Sequence, residues 1–202
     1  MSDVSRETRA KLEQFAALLI AENQIQNLVA RSTLSDLWSR HIDDAVQLAL
    51  FAPTEGKWLD IGSGAGLPGM VLAVMHEGAH FTLAEPRRLR ADFLKRVAVE
   101  LGLTARVAVI QAKAEALPAS RFDVITARAV ASVTRLFAIT DHLSHKGTIW
   151  VLPKGRSAKS ELDEARRTWQ GTFRLEPSRT DPDARILIAT GVSRIVRARG
   201  VV

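Results

Sequence analysis

The stretch WLDIGSGAGLPG, residues 58–69, runs from an apolar segment into four closely spaced glycines, Gly62, Gly64, Gly66 and Gly69. A turn this tight uses positive φ and lets a ligand approach the backbone, which glycine does without steric cost. The stretch therefore predicts a strand, a glycine loop and a helix start that together cradle a nucleotide-like cofactor. Gly64, Gly66 and Gly69 also satisfy the GxGxxG spacing of dinucleotide-binding domains, so the loop alone does not choose between cofactors. A glycine turn that serves only strand-to-helix packing is the third reading.

Outward from this loop, short apolar runs alternate with helical stretches. Strands are predicted at Lys57 to Ile61, His80 to Glu85, Val107 to Gln111, Phe122 to Thr126 and Thr148 to Leu152. Helices are predicted between them at Pro68 to His76, Arg87 to Leu101 and Ser132 to Leu143, the second carrying Leu89, Phe93, Val97 and Leu101 at four-residue spacing. Such alternation predicts an α/β fold of the Rossmann-like kind, a mainly parallel, doubly wound sheet with crossover helices. The tail reads as a charged helix, Lys159 to Trp169, then two strands, Thr172 to Glu176 and Arg185 to Thr190, flanking the turn-rich SRTDPD. That pair predicts a closing antiparallel hairpin. Ahead of Pro53, Leu12, Phe15 and Leu19 and then Leu34, Leu37, Trp38, Ala45 and Leu48 recur at helical spacing. The expectation is one domain, with a helical extension over 1–52 and a core over 57–202.

In a doubly wound sheet the ligand lies beyond the carboxyl ends of the strands. Asp60 closes the apolar run of the first strand and enters the candidate cofactor set with Gly62, Gly64 and Gly66. Glu85 closes the next strand, about 20 residues beyond the glycines, where an acid can accept ribose hydroxyls; alternatively it pairs Arg87 or Arg88 at the surface. Ala114 and Glu115 form a polar turn after the third strand. Glu115 can there bond an adenine edge or sit as an acid at a helix start. Arg128, just past the fourth strand, opens onto the same crevice. Its planar fork suits it to bond a guanine O6 or a phosphate, or to order the cofactor side of the pocket, and a salt bridge to Asp123 or Glu115 is the plainer reading.

Composition narrows the function class. The chain has 202 residues, 47% hydrophobic and 25% charged, enough apolar content for a packed core. No apolar run approaches the length of a membrane span, and the polar start carries no secretion signal. Without cysteine there is neither a disulfide framework nor a thiolate nucleophile, so the cytoplasm is the expected location. The histidines lack metal-ligand spacing. A formal charge of +6 favours a polyanionic partner.

DIGSGAGLPG, the strand-end acid, the AE pair, FDVITARA and VLPKG, preceded by NLVARSTLSDLWSRHIDDAV, together resemble the bacterial RsmG (GidB) family over about Asn27 to Gly155. The resemblance implies a class I methyltransferase that carries a methyl group from S-adenosylmethionine to guanine N7 of 16S ribosomal RNA. Carried over by position, it implies cofactor contacts at Gly62, Leu67, Ala114, Glu115 and Arg128; the planar fork and crevice position of Arg128 also make it the candidate to position the reaction. Glu85 comes instead from the general methyltransferase pattern, since the family often has Asp there. SRHIDDAV implies that His41 lines the cofactor or RNA pocket, although its place on the stripe with Leu37 and Ala45 equally fits a core histidine. Lys154 and Arg156, after the fifth strand, are expected at the rim against RNA phosphates; Arg87, Arg88, Arg90, Lys95, Arg96, Arg194, Arg197 and Arg199 add charge elsewhere.

N7 chemistry fits what is absent. The N7 lone pair needs no proton removal, so alignment within about 3–3.5 Å is the main task. There is no cysteine for cytosine C5 methylation, and ITARAV stands where amine methyltransferases carry an Asp/Asn-Pro-Pro-aromatic motif. The expected partner is 16S rRNA or the small subunit, with the protein acting as a monomer. Two alternatives stay open: an NAD(P)-binding oxidoreductase, disfavoured by Asp60 where dinucleotide folds prefer an apolar residue, and a non-catalytic rRNA-binding assembly protein.

Overall fold

The computed structural model describes residues 4–196, so Arg197 and Arg199 lie outside the described part. Seven strands form one sheet: β1 (Gly56–Ile61), β2 (Ala79–Ala84), β3 (Val107–Ile110), β4 (Val124–Ala127), β5 (Ile149–Lys154), β6 (Trp169–Pro177) and β7 (Arg185–Arg194). Their order is β3-β2-β1-β4-β5-β7-β6, with β1 to β5 parallel and β7 antiparallel to both β5 and β6. The chain order reverses between β1 and β4, which places the crevice of a doubly wound sheet beside the glycine loop.

Among the described residues the α-helices are α1 (Arg6–Glu22), α2 (Asp43–Val46), α3 (Gly69–Met75), α4 (Arg88–Glu100), α5 (Val133–Thr140) and α6 (Ala158–Ala165). Alternation along β1 assigns the two faces. Trp58 joins Leu12, Phe15, Met70, Phe93 and Val97 in the core beneath α1, α3 and α4. Leu59 and Ile61 join Phe122, Phe137, Trp150, Leu162 and Trp169 on the α5 and α6 side. Helix α1 begins at Ser5, whose hydroxyl accepts the Thr8 amide at 3.0 Å, and buries Leu12, Phe15, Ala16 and Leu19 as one stripe. No described helix is long and apolar enough to cross a membrane.

The N-terminal fifty residues are less helical than their periodicity predicts. After α1 the chain turns irregular, held by Asn23, whose side-chain oxygen accepts from the Leu28 and Val29 amides. Trp38–Ile42 then forms a π-helical turn rather than an α-helical one. The wider turn displaces His41 from the row joining Leu37 and Ala45; those two are buried, and His41 is half-exposed. The tail helix is shorter than the predicted Lys159 to Trp169. It stops at Ala165 because Trp169 is drawn into the core edge-on to Phe137, where it starts β6.

Candidate functional site

Strand register brings the site together. Ile61 pairs with Ala84 on one side and with Ala127 on the other. The next residues, Gly62, Glu85 and Arg128, therefore leave three adjacent strands at the same level.

The glycine loop turns through positive φ at Gly62, Gly64 and Gly66. The three differ in surroundings. Gly66 is closed in, with Phe15, Met70 and Leu94 at 3.1–3.2 Å from where a β-carbon would sit. At Gly62 that position lies 2.7 Å from a Val130 methyl, so Val130 roofs this part of the loop. Gly64 is the least crowded of the three; a β-carbon there would make ordinary contacts, with the Gly62 carbonyl at 3.6 Å and Arg90 Nη1 at 3.7 Å. Glu85 is buried beside it, accepting the Gly64 amide at 2.8 Å through Oε2 and the Arg87 amide at 2.9 Å through Oε1. It pairs neither Arg87 nor Arg88 through their side chains among the described residues. Each carboxylate oxygen keeps acceptor capacity toward the crevice.

The sequence candidates differ in exposure and pairing. Asp60 is wholly buried on the α3 side of the sheet, accepting the Gly69 amide at 3.2 Å through Oδ2. The start of α3 shuts it away from the crevice, because Gly69 sits directly against it: a β-carbon on Gly69 would lie 2.5 Å from Oδ2. Leu67 and Ala114 are likewise buried. Glu115 is exposed and faces Arg135 at 3.5 Å. Lys154 is no free rim cation: its ammonium donates to the Ala131 carbonyl at 2.7 Å and to Glu161 at 3.0 Å, and little of it meets solvent. Arg156 is exposed and forked onto Asp183.

Burial raises the Asp60 carboxyl to about 7, opposed by the nearby Ser63 hydroxyl, by the hydrogen bond from the Gly69 amide and by Arg128, and reinforced by Glu85. Unfolded, this group ionises near 3.8, so between those values the folded state holds a proton that the unfolded state has lost. The resulting contribution is complete below the unfolded value and disappears as pH rises through the folded one. Wild-type stability is expected to fall by a few kcal/mol from this site across that window, at about 1.4 kcal/mol per pKa unit. Urea titrations at intervals from pH 4 to 8 should show that slope reduced in Asp60→Asn; parallel slopes for the two proteins would mean that the carboxyl ionises at its ordinary value.

Arg128 is held by neither Asp123 nor Glu115. Its Nη1 lies 3.4 Å from Asp44 Oδ2 and 3.4 Å from His41 Nδ1. Asp44 also accepts from Thr180 at 2.8 Å and from Gln47 at 3.0 Å. His41 Nε2 stands 2.9 Å from the Thr33 hydroxyl, which itself donates to the Ala30 carbonyl. An arginine donor can approach only an unprotonated ring nitrogen, so this chain assigns a neutral His41 carrying its proton on Nε2. Burial, and then Arg128, lower the His41 pKa in the same sense, against Asp44. Burial also lowers the Arg128 pKa, with Asp44 and Asp60 opposing; a guanidinium nevertheless keeps its charge. Ala129 takes positive φ, 56°, just after Arg128 and so turns Val130 over the loop.

Beyond Arg128 opens a cleft of about 960 Å³, walled by Thr33, His41 and Asp44 on one side and by Ser178, Thr180 and Arg185 of the hairpin on the other. Asp44, Thr180 and Ser178 carry no role in the sequence reading. Asp44 lies three residues past His41, one helical turn on, which is a usable signal; Ser178 and Thr180 lie in a turn that local pattern marks only as a turn.

The loop amides are largely engaged within the protein. Those of Gly62 and Ser63 donate to the Ala84 carbonyl, that of Gly64 to Glu85, and those of Gly66 and Leu67 to the Ser63 carbonyl. A dinucleotide pyrophosphate needs such amides free, so the arrangement suits a cofactor without phosphates.

The family model described as rRNA small subunit methyltransferase G (GidB) matches residues 8–177. Proteins named ribosomal RNA small subunit methyltransferase G from Rhizorhabdus wittichii and Zymomonas mobilis are 47% and 44% identical to this chain, each match covering 94% of it and 88% of the relative. Among solved structures, the glycopeptide N-methyltransferase MtfA complexed with sinefungin superposes with a TM-score of 0.63 at 12% identity, over 74% of this chain and 93% of that one. The B. subtilis M1A22 tRNA methyltransferase TrmK gives 0.56 at 14% identity, over 73% and 65%. At such identities the structural likeness speaks for the fold alone.

Proposed function

The chain belongs to the rRNA small subunit methyltransferase G family, and from that premise we propose that it transfers the methyl group of S-adenosylmethionine to N7 of one guanine in 16S ribosomal RNA. The observation that carries this reading is the alignment of Gly62, Glu85 and Arg128 at three adjacent strand ends, with the cleft opening beyond Arg128. The Glu85 carboxylate fits the cofactor's ribose end, accepting from its hydroxyls while it holds the loop. When bound, S-adenosylmethionine supplies an electrophilic methyl group to a nucleophile that needs no deprotonation.

The protein's own groups have the matching character. Neither His41 nitrogen is free to act as a base, since one accepts from Arg128 and the other faces Thr33. Arg128 presents donors, and the guanine major-groove edge offers the O6 and N7 acceptors. Its role is to hold O6 so that N7 keeps its lone pair directed at the methyl group. Asp44 and His41 position Arg128 and do not touch the reacting atoms. Arg156, Arg87 and Lys95, all exposed, are candidate phosphate contacts, while Lys154 acts as a wall of the cleft. A monomer acting on small subunits in the cytoplasm is the working form.

The test is transfer of labelled methyl to small subunits lacking the modification, followed by strand cleavage at N7-methylguanine. One labelled guanine in 16S RNA is the expected result. Saturable cofactor binding without label would point to a different acceptor, and RNA binding without cofactor affinity would make the protein a non-catalytic assembly factor. If phosphate contacts dominate, RNA affinity is expected to fall by a factor of about 10 or more between 50 and 200 mM salt; a flat profile would place recognition on base and shape contacts.

A further inference from the structure

Resting on that reading of the cofactor, we propose that Arg90 binds the α-carboxylate at the methionine end of S-adenosylmethionine, a subsite carried by α4 rather than by the glycine loop. The loop itself is poorly suited to an anion. Of its amides from Gly62 to Leu67, only that of Ala65 has no acceptor within the protein, and Ala65 is buried. The Glu85 carboxylate already occupies the Gly64 amide and adds negative charge beside the loop. A cation must offset both.

Arg90 is the cation in position. Its Nη1 lies 3.7 Å from the point a β-carbon on Gly64 would occupy, beside the least crowded glycine of the loop. Its Nη2 donates to the Asn27 carbonyl at 3.2 Å, and among the described residues it has no carboxylate within ion-pair distance. Of the neighbouring cations, Arg88 faces Asp92, Arg96 faces Glu22 and Arg128 faces Asp44, while Arg87 is exposed at the start of α4. The Asn27 anchor is itself held, since Asn23 ties down Leu28 and Val29, and Gln26 donates to the Leu89 carbonyl. One edge of the guanidinium is therefore fixed by the N-terminal segment while the other points across the loop. A preoriented fork of this kind suits a carboxylate.

The test compares S-adenosylmethionine with decarboxylated S-adenosylmethionine, which lacks only that carboxylate, by calorimetric titration of the wild type, Arg90→Gln and Arg90→Ala. The wild type is expected to prefer the intact cofactor by about 10- to 100-fold, the range of a charge-assisted pair. Both variants should lose most of that preference while binding the decarboxylated compound within about twofold of wild type, a coupling read as in a double-mutant cycle. Equal weakening of both ligands would overturn the proposal and make Arg90 a prop for the loop. Unchanged cofactor binding with weakened affinity for a 16S RNA fragment would overturn it in favour of a phosphate contact. A wild type that binds neither compound would bring down the cofactor reading itself.

Discussion

Arg128→Ala is expected to lower methyl transfer by about 10²- to 10³-fold, the usual effect of removing a preorganised donor, while changing folding stability by only about 1 kcal/mol. The asymmetry follows from what remains. Asp44 keeps its bonds from Thr180 and Gln47, so no carboxylate is stranded, and the vacated space opens onto the cleft instead of the core. Single-turnover methylation alongside thermal melting separates the two effects. Wild-type turnover would sink the assignment, and a collapse in melting temperature would make Arg128 a strut between Asp44 and the sheet. Asp44→Asn is the informative companion: it preserves shape and weakens the hold on the guanidinium, so an intermediate loss of turnover is expected.

Gly64→Val should abolish measurable cofactor binding, a loss of at least about 100-fold. A β-branched residue at φ of +55° is strained, and its branches would fill the space between Gly64 and Arg90. Gly64→Ala makes the distinction. Its β-carbon would meet neighbours at no less than 3.6 Å, so it should fold at a cost of about 1–2 kcal/mol and bind cofactor with a smaller defect. Titration of both variants, with melting curves as the folding control, tests the order; equal affinity for glycine, alanine and valine proteins would show that the ligand passes elsewhere.

The sheet was legible because its signals are local. Strand periods, the glycine loop and the acid closing β2 each follow from a few consecutive residues, and register then aligned Glu85, Gly62 and Arg128. Boundaries slipped where tertiary contacts overrode local pattern, as when Trp169 left the predicted tail helix to join Phe137. His41 illustrates the same limit. Helical periodicity placed it in line with Leu37 and Ala45, and the π-helical turn moved it to the cleft, beside Arg128.

Sequence alone determined the strand and helix succession, the glycine loop and the family resemblance, because glycine's freedom at positive φ and the periods of strand and helix are properties of short segments. Only the tertiary structure decided which of those residues are buried and which are paired. Asp60 and Leu67 are buried, Glu161 pairs Lys154, and Asp44 and Thr180, 136 residues apart in the chain, meet beside Arg128. Accessibility and charge pairing are set by neighbours distant in sequence, and those exist only once the chain has folded.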